Sequence, residues 1–467
     1  MNYKKIFFWN TITNLIAAPV RFGLNLFLAS CLLPSDYGAM VLPMVIIGLS
    51  MILIDSGLKS SLIQKTTLKT EHSSTVFFVN LFISFVLGTI FSLVSLPIEY
   101  YFAITDLSWL IILASISLIF RSLSIVNEAR LQIKGKYATL ILIELFSYVL
   151  GYIVAIWMAK NNFGPFSLIA LAMISAASYS IGLFLTERFI PRLSTVSKRL
   201  FFVHWRMGRS LLGQGLLEAF SEKIDEIILG KFIGVSSLGV YSKGREYSST
   251  IGVIGSKFFA RPWFSMMSRY SNNKFFFISK FKVGYCILLL IGVILIACNY
   301  FYGAFFINYF LGSQWMPLIP LFYYFVISTA LYYLVTFNKY TFLALGLANI
   351  NFKIEFLYSI IRFLMLFIIF IVFYKSAQLI ILLIGIDIIA RVSMLIFQAH
   401  SFEKYFKYPI KLFLIKKTGL LLLSGIVSLL PLDGTVYVSI LSLIIIYLLL
   451  FLIRSYNSGI LFNNAIK

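Results

Sequence analysis

Charge is scarce in this 467-residue chain and falls largely on one side: 12% of residues are charged, 17 of them Asp or Glu against 39 Lys or Arg. There are three cysteines and three histidines. Cys31, Cys286 and Cys298 lie far apart inside apolar runs, an odd and scattered set that excludes a disulfide framework and a cysteine metal site. His72, His204 and His400 fall between apolar runs without metal-ligand spacing, and are expected to be solvated surface residues. No nucleophile motif and no phosphate-cradling glycine loop is present, which removes the common hydrolase and nucleotide-binding classes. Long polar stretches are missing as well. Function is therefore expected inside a helix bundle rather than in a hydrophilic domain.

What is abundant is apolar: 60% of residues are hydrophobic, 17% aromatic, and the mean hydropathy is +0.94. Soluble domains are roughly half apolar, and runs of about 18 or more apolar residues recur here from end to end, so the solvent is a bilayer. The pattern predicts an all-α polytopic membrane protein of about fourteen transmembrane helices. The start "MNYKKIFFWN" is basic, but the apolar run after it outlasts a signal peptide and shows no cleavage site, so it is expected to be the first permanent span. Spans group as a six-helix lobe over 1–186, a basic cytoplasmic linker over 187–209, a second six-helix lobe over 210–399, and two additional helices with a cytoplasmic tail over 400–467.

Basic residues alternate from loop to loop. Lys4 and Lys5, Arg130 with Lys134 and Lys136, Arg188 to Arg209, and Lys404 to Lys417 fall on one side, whereas Asp36, Glu99, Asp106 and Asp433 fall on the other. Cytoplasmic loops retain Lys and Arg, so both termini are expected in the cytoplasm. The net charge of +22 is thereby explained by membrane topology and needs no nucleic acid. A faint repeat accompanies this order: "LLPSDYG" at 32–38 and "IGVSSLG" at 233–239 each join the first two spans of a lobe, with Gly38 and Gly239 opening the second span.

Charges inside the spans are the remaining signal. An Arg at the bilayer centre costs about 2.5–3.5 kcal/mol on insertion scales, so it faces a partner or a wet cavity. Arg21 shares a helix side with Asn25, Arg121 with Ser117, Ser124 and Glu128, and Glu144 with Ser147 and Tyr148. The stretch "LLEAFSEKIDEIILGKFIG" places Glu218, Glu222, Asp225 and Glu226 on one face, and the next span lines up Lys243, Glu246, Tyr247, Lys257 and Arg261. Asp55 with Lys59, and Asp387 with Arg391, stand at i, i+4 and read as structural ion pairs. Contributions from many spans point to one shared aqueous chamber.

The start "MNYKKIFFWNTITNLIAAPVRFGLNLFLASCLLPSDYGAM", then "IDSGLKSSLIQK", "NEARLQIKGKYATLILIE" and above all "GRSLLGQGLLEAFSEKIDEIILGKFIGVSSLGVYSKGREYSS" resemble the Wzx-type polysaccharide flippases of the multidrug, oligosaccharidyl-lipid and polysaccharide exporter superfamily. The resemblance implies two MATE-like lobes around a central cavity. It also implies flipping of an undecaprenyl-pyrophosphate-linked oligosaccharide across the bacterial inner membrane by alternating access, for O-antigen, capsule or exopolysaccharide, with no enzymatic step. By position it assigns a cationic substrate cavity to Arg21, Arg121, Lys257 and Arg261. No cofactor is implied; coupling to a proton or sodium gradient is open, with Glu144, Glu218, Glu222 and Asp225 as coupling or structural carboxylates. Expected partners are the lipid-linked oligosaccharide, the bilayer, and a polysaccharide polymerase and chain-length regulator. The alternatives are a MATE-like drug/cation antiporter, which needs carboxylates to dominate the chamber, and a sugar polymerase or ligase, which needs a large external loop.

Overall fold

The computed structural model describes residues 3–64, 69–271, 273–373, 379–430 and 434–464. Among these no strand occurs, and fourteen helices run for twenty residues or more. In chain order they are α1 (Tyr3–Cys31), α2 (Pro34–Asp55), the short α3 (Leu58–Ile63), α4 (Thr70–Phe102), α5 (Leu107–Ile133), α6 (Tyr137–Lys160) and α7 (Phe166–Glu187). Then come α8 (Lys198–Phe232), α9 (Val235–Arg269), α10 (Lys274–Phe306), α11 (Leu318–Ala344), α12 (Ala348–Phe373), α13 (Leu379–Phe406), α14 (Ile410–Leu429) and α15 (Gly434–Asn464). Ten described helices are long and apolar enough to cross a membrane. The long α8 and α9 are not among them, because their charged faces lower their hydropathy.

Contacts divide the chain into two compact units, residues 1–242 with 310–314, and 243–309 with 315–467. The division falls within α9 rather than in the 187–209 stretch, because α8 packs on α2, α3 and α4 and so belongs to the first unit. That stretch is itself largely helical: α8 begins at Lys198, so His204 lies two turns inside it.

In the first unit α5 is the hub, packed against α2, α4 and α7. Its Leu107, Leu110, Ile111, Ala114 and Leu118 are fully buried. Small residues bring the helices close, as membrane helix packing requires in the absence of a hydrophobic drive between helices. Ser84 of α4 bonds Ser122 of α5 at 3.0 Å. A Cβ on Gly151 of α6 would lie 2.2 Å from the Ser175 hydroxyl of α7. At the α5–α7 end, Glu187, whose side chain is 2% exposed, takes both Arg130 at 2.9 Å and Lys134 at 2.6 Å.

The break between α2 and α3 matters for the site. Ser56 and Gly57 both adopt left-handed backbone, at φ +46° and +69°, and α3 restarts at Leu58. Gly57 also touches Gly208 of α8 so closely that an added Cβ would sit 2.7 Å from the Gly208 Cα and carbonyl oxygen. A side chain there is penalised twice, by backbone conformation and by contact. Gly57→Ala is expected to lower stability by about 2–3 kcal/mol, read as a lower unfolding midpoint in detergent; an unchanged midpoint would show that the turn yields freely.

The second unit packs α10, α11 and α13 around an aromatic core. Phe342 and Phe402 stack with centroids 4.0 Å apart and planes 3° from parallel, and Phe281 and Phe337 join them at 5.1 and 5.4 Å. By contrast, α12 turns Phe356, Phe363, Phe367 and Ile371 outward. Buried Lys417 of α14 has its ammonium held by the rings of Tyr447 and Phe451 of α15, at 4.0 and 4.2 Å, so cation–π contact stands in for a carboxylate.

Candidate functional site

Within the first unit lies a polar cavity of about 510 Å³, with Asp55, Lys59, Arg121, Glu128, Glu144 and Tyr179 on its wall. Periodicity explains much of this. Arg121 and Glu128 are seven residues apart on α5, two turns along one face, and Glu144 and Tyr148 are four apart on α6. The α2–α3 break turns Lys59 toward the same space.

The partners differ from those that spacing suggests. Lys59 reaches Glu128 on α5 at 2.5 Å, and Gln132 steadies the same carboxylate at 2.9 Å. Asp55 instead accepts the backbone N–H of Lys59 at 3.0 Å, capping the start of α3. The expected Asp55–Lys59 pair is thus replaced, because the left-handed turn at 56–57 takes the two residues off one continuous helix. Arg21 of α1 pairs with Glu144 of α6 at 2.9 Å, with its guanidinium 4.8 Å from the Tyr148 ring centre. Both side chains stay about a third exposed, at 32% and 38%.

Arg121 stands apart. It forms no ion pair among the described residues, and its buried Nε has no hydrogen-bond partner. A guanidinium carries five N–H donors in a rigid fork, so Arg121 brings donors to the cavity wall that no described carboxylate engages. Among the described residues at this wall, Asp55, Glu128 and Glu144 balance Lys59, Arg121 and the adjacent Arg21.

Other sequence candidates lie elsewhere. Asp225 of α8 is buried, accepting the Tyr241 hydroxyl of α9 at 2.5 Å and the Glu226 N–H at 3.1 Å, while Lys223 pairs with Glu226 at 3.0 Å. Asp225 therefore fastens the α8–α9 turn. The side chains of Glu218, Glu222, Lys257 and Arg261 lie outside the described residues. In the second unit Asp387 meets Arg391 at 2.8 Å, and also receives Ser328 of α11, Tyr358 at 3.4 Å and Arg362 at 3.8 Å, both of α12. The i, i+4 pair is one edge of a three-helix knot, a convergence that chain spacing does not reveal.

The histidines correct a sequence expectation. His204 is fully buried, with Nδ1 2.7 Å from the Ser61 hydroxyl and Nε2 2.9 Å from His72 Nδ1. It is no surface residue: α8 carries it inward onto α3 and α4. His72 is half-buried beside it, and only His400 keeps the expected exposure.

Residues 27–320 match the family model described as polysaccharide biosynthesis protein. The chain belongs to that family. The chain is 21% identical over 243 residues to the succinoglycan biosynthesis transport protein ExoT of Rhizobium meliloti, covering 52% of the chain and 49% of the relative. Across the curated relatives it matches, the chain spans between 49% and 65% of their length. Its fold is that of the lipid II flippase MurJ, at a TM-score of 0.64 and 15% identity over 98% of this chain and 99% of that one. An inward-facing MATE family multidrug transporter of the MOP superfamily aligns at 0.62 and 17%, covering 85% and 98%. The chain is thus a multi-pass membrane protein, helical throughout its described long elements, with a MOP-type transporter fold.

Proposed function

We propose that this protein is a flippase. In this reading it moves an undecaprenyl-pyrophosphate-linked oligosaccharide from the cytoplasmic to the outer leaflet of the bacterial inner membrane, with both termini cytoplasmic. The observation that carries the reading is the unpaired guanidinium of Arg121 on the wall of a polar cavity inside a membrane bundle. Moving a sugar head through hydrocarbon strips water from each hydroxyl at a cost of several kcal/mol. A hydrated cavity removes most of that barrier, and Arg121 supplies charge-assisted hydrogen bonds for the pyrophosphate. The polyprenyl tail remains in the bilayer. Outward movement of a negative head from a negative interior is favourable by about 2.3 kcal/mol per charge per 100 mV.

Arg21 and Glu144 give this cavity a second function. An anionic head that competes for Arg21 releases Glu144, which is then the position for a co-transported proton or sodium ion. A drug/cation antiporter would instead need a carboxylate left over. Glu128 and Glu144 are held by Lys59 and Arg21 and Asp55 caps α3, so among the described residues of this wall the group left over is a cation.

Complementation tests the reading. Expressed in a flippase-deficient strain, the protein is expected to restore surface polymer and to clear lipid-linked repeat units from the cytoplasmic leaflet. If the repeat units stay on that leaflet, across strains supplying different repeat structures, the flippase reading is wrong.

A further inference from the structure

His204 bears on the cavity through α3. Helix α8 holds α3 at two points one turn apart: Gly208 lies against Gly57, and His204, four residues before Gly208, places Nδ1 2.7 Å from the hydroxyl of Ser61, four residues after Gly57. Lys59 stands midway between those points in the chain, and its ammonium pairs with Glu128 on the cavity wall. On its other side His204 places Nε2 2.9 Å from Nδ1 of His72, in the first turn of α4, with the two ring planes at 89°. Hydrogen bonds thus run from His72 through a fully buried imidazole to Ser61, tying α4, α8 and α3 together.

Proton counting sets what this chain of bonds tolerates. A neutral imidazole offers one N–H and one lone pair, and an imidazolium offers two N–H groups and no lone pair. With both rings neutral, one donates across the 2.9 Å gap and the other accepts. With one ring protonated the bond persists and is charge-assisted. With both protonated, N–H faces N–H between two like charges, and the bond is lost. The closed pair therefore holds one added proton, whereas separated rings hold two. Carboxylates in the surroundings are engaged or in water: Asp55 at the end of α2 caps α3, Glu128 of α5 holds Lys59, Glu187 of α7 holds Arg130 and Lys134, and Glu71 of α4 is exposed. Cations there are Lys59 on α3, Lys69 before α4, and Arg130 of α5, 3.3 Å from the Ser73 hydroxyl beside His72. Arg192, whose backbone N–H bonds the Ser74 hydroxyl at 3.1 Å, and the exposed Arg199, Arg206 and Arg209 of α8 complete the set among the described residues.

We propose that His204 is a positioning residue for the Lys59–Glu128 pair, and that its bond to His72 makes the hold on α3 a clasp that one proton leaves closed and a second opens. Opening releases α3 at Ser61, so Lys59 loses its fixed approach to Glu128, and a loose carboxylate appears on the face of α5 that carries Arg121. Because the open form binds the additional proton, its population rises by up to tenfold per pH unit below the ordinary imidazole value of about 6.5; the clasp is fully closed above that value and is lost as pH falls. Acid is thereby a brake on export. That consequence rests on the flippase reading; the clasp does not.

The test uses the full-length protein in nanodiscs with Cys31, Cys286 and Cys298 replaced by serine and spin labels at Gln64→Cys, at the end of α3, and Phe202→Cys, on α8, both exposed. Pulsed dipolar spectroscopy is expected to give one distance at pH 7.5 and a second population that grows several-fold between pH 6.5 and pH 5. His72→Asn keeps an amide where Nδ1 stands and removes one of the two protonation sites, so the acid population is expected to vanish. His204→Ala is expected to show the second distance already at pH 7.5. A purely structural histidine gives no acid population, or one that survives His72→Asn, and either result overturns the clasp. Glu128 reads the positioning: at pH 5 its carbodiimide labelling, followed by mass spectrometry, is expected to run at least about threefold faster in the parent protein than in His72→Asn, and equal rates overturn the link to Lys59. Should His204→Ala fail to fold, the parent and His72→Asn decide between them. Neither readout needs cargo, so failure of the clasp is distinguishable from failure of the flippase reading.

Discussion

Arg121→Ala is expected to abolish surface polysaccharide in the complemented strain while the protein inserts and melts as before. The two halves of this expectation have separate physical causes. Arg121 has no carboxylate partner among the described residues, so truncation leaves no orphaned charge and costs under about 1 kcal/mol of stability. A guanidinium lost from a bound phosphate removes charge-assisted hydrogen bonds worth about 1.5–3 kcal/mol each. Two of them correspond to roughly 100-fold or more in initial flipping rate. Arg121→Lys keeps the charge but loses the planar fork, and is expected to fall between the two. Arg21→Ala makes the contrast, because it strands Glu144 on the cavity wall and should depress stability as well as export. Normal polymer from Arg121→Ala would remove the residue from the path and the flippase reading would lose its carrying observation.

Asp387→Ala has the largest expected effect on stability. The carboxylate holds Arg391 of its own helix and takes Arg362, Tyr358 and Ser328 from two others, and Arg362 is only 4% exposed. Removing it leaves buried Arg362 and partly exposed Arg391 facing each other without their shared anion. Breaking a buried pair in this way typically costs 3–5 kcal/mol, or roughly that here. A thermal midpoint in detergent well below that of wild type is the expected readout. Asp387→Asn, which keeps acceptor capacity without charge, should lose less. If Asp387→Ala melts like wild type, the knot is not what joins α11, α12 and α13.

Much of the architecture was legible before any coordinates. Apolar run length and the alternation of basic loops identified a many-span helical membrane protein, and helical spacing placed Arg121 with Glu128 and Glu144 with Tyr148 on shared faces. The site was legible only in part. Asp55 and Lys59 stand at i, i+4, but two left-handed residues intervene and send them to different partners. His204 read as a loop residue because its neighbours Arg199, Arg206 and Arg209 are basic, yet it sits inside α8 against α3 and α4. Helical spacing also did not show that proximity across helices brings Glu144 to Arg21 and Glu128 to Lys59.

The sequence by itself determined that this chain lives in a bilayer, which loops carry its positive charge, and which polar residues share a helix face. Those properties follow from hydropathy, charge and a 3.6-residue period, each of which acts within one segment. Only the tertiary structure decided that Arg121 has no ion pair among the described residues, that Asp387 gathers three helices, and that Gly38 and Gly239 face the Val235 and Pro34 carbonyls. Those outcomes depend on which helices pack together and at what register, and small residues distant in the chain set both.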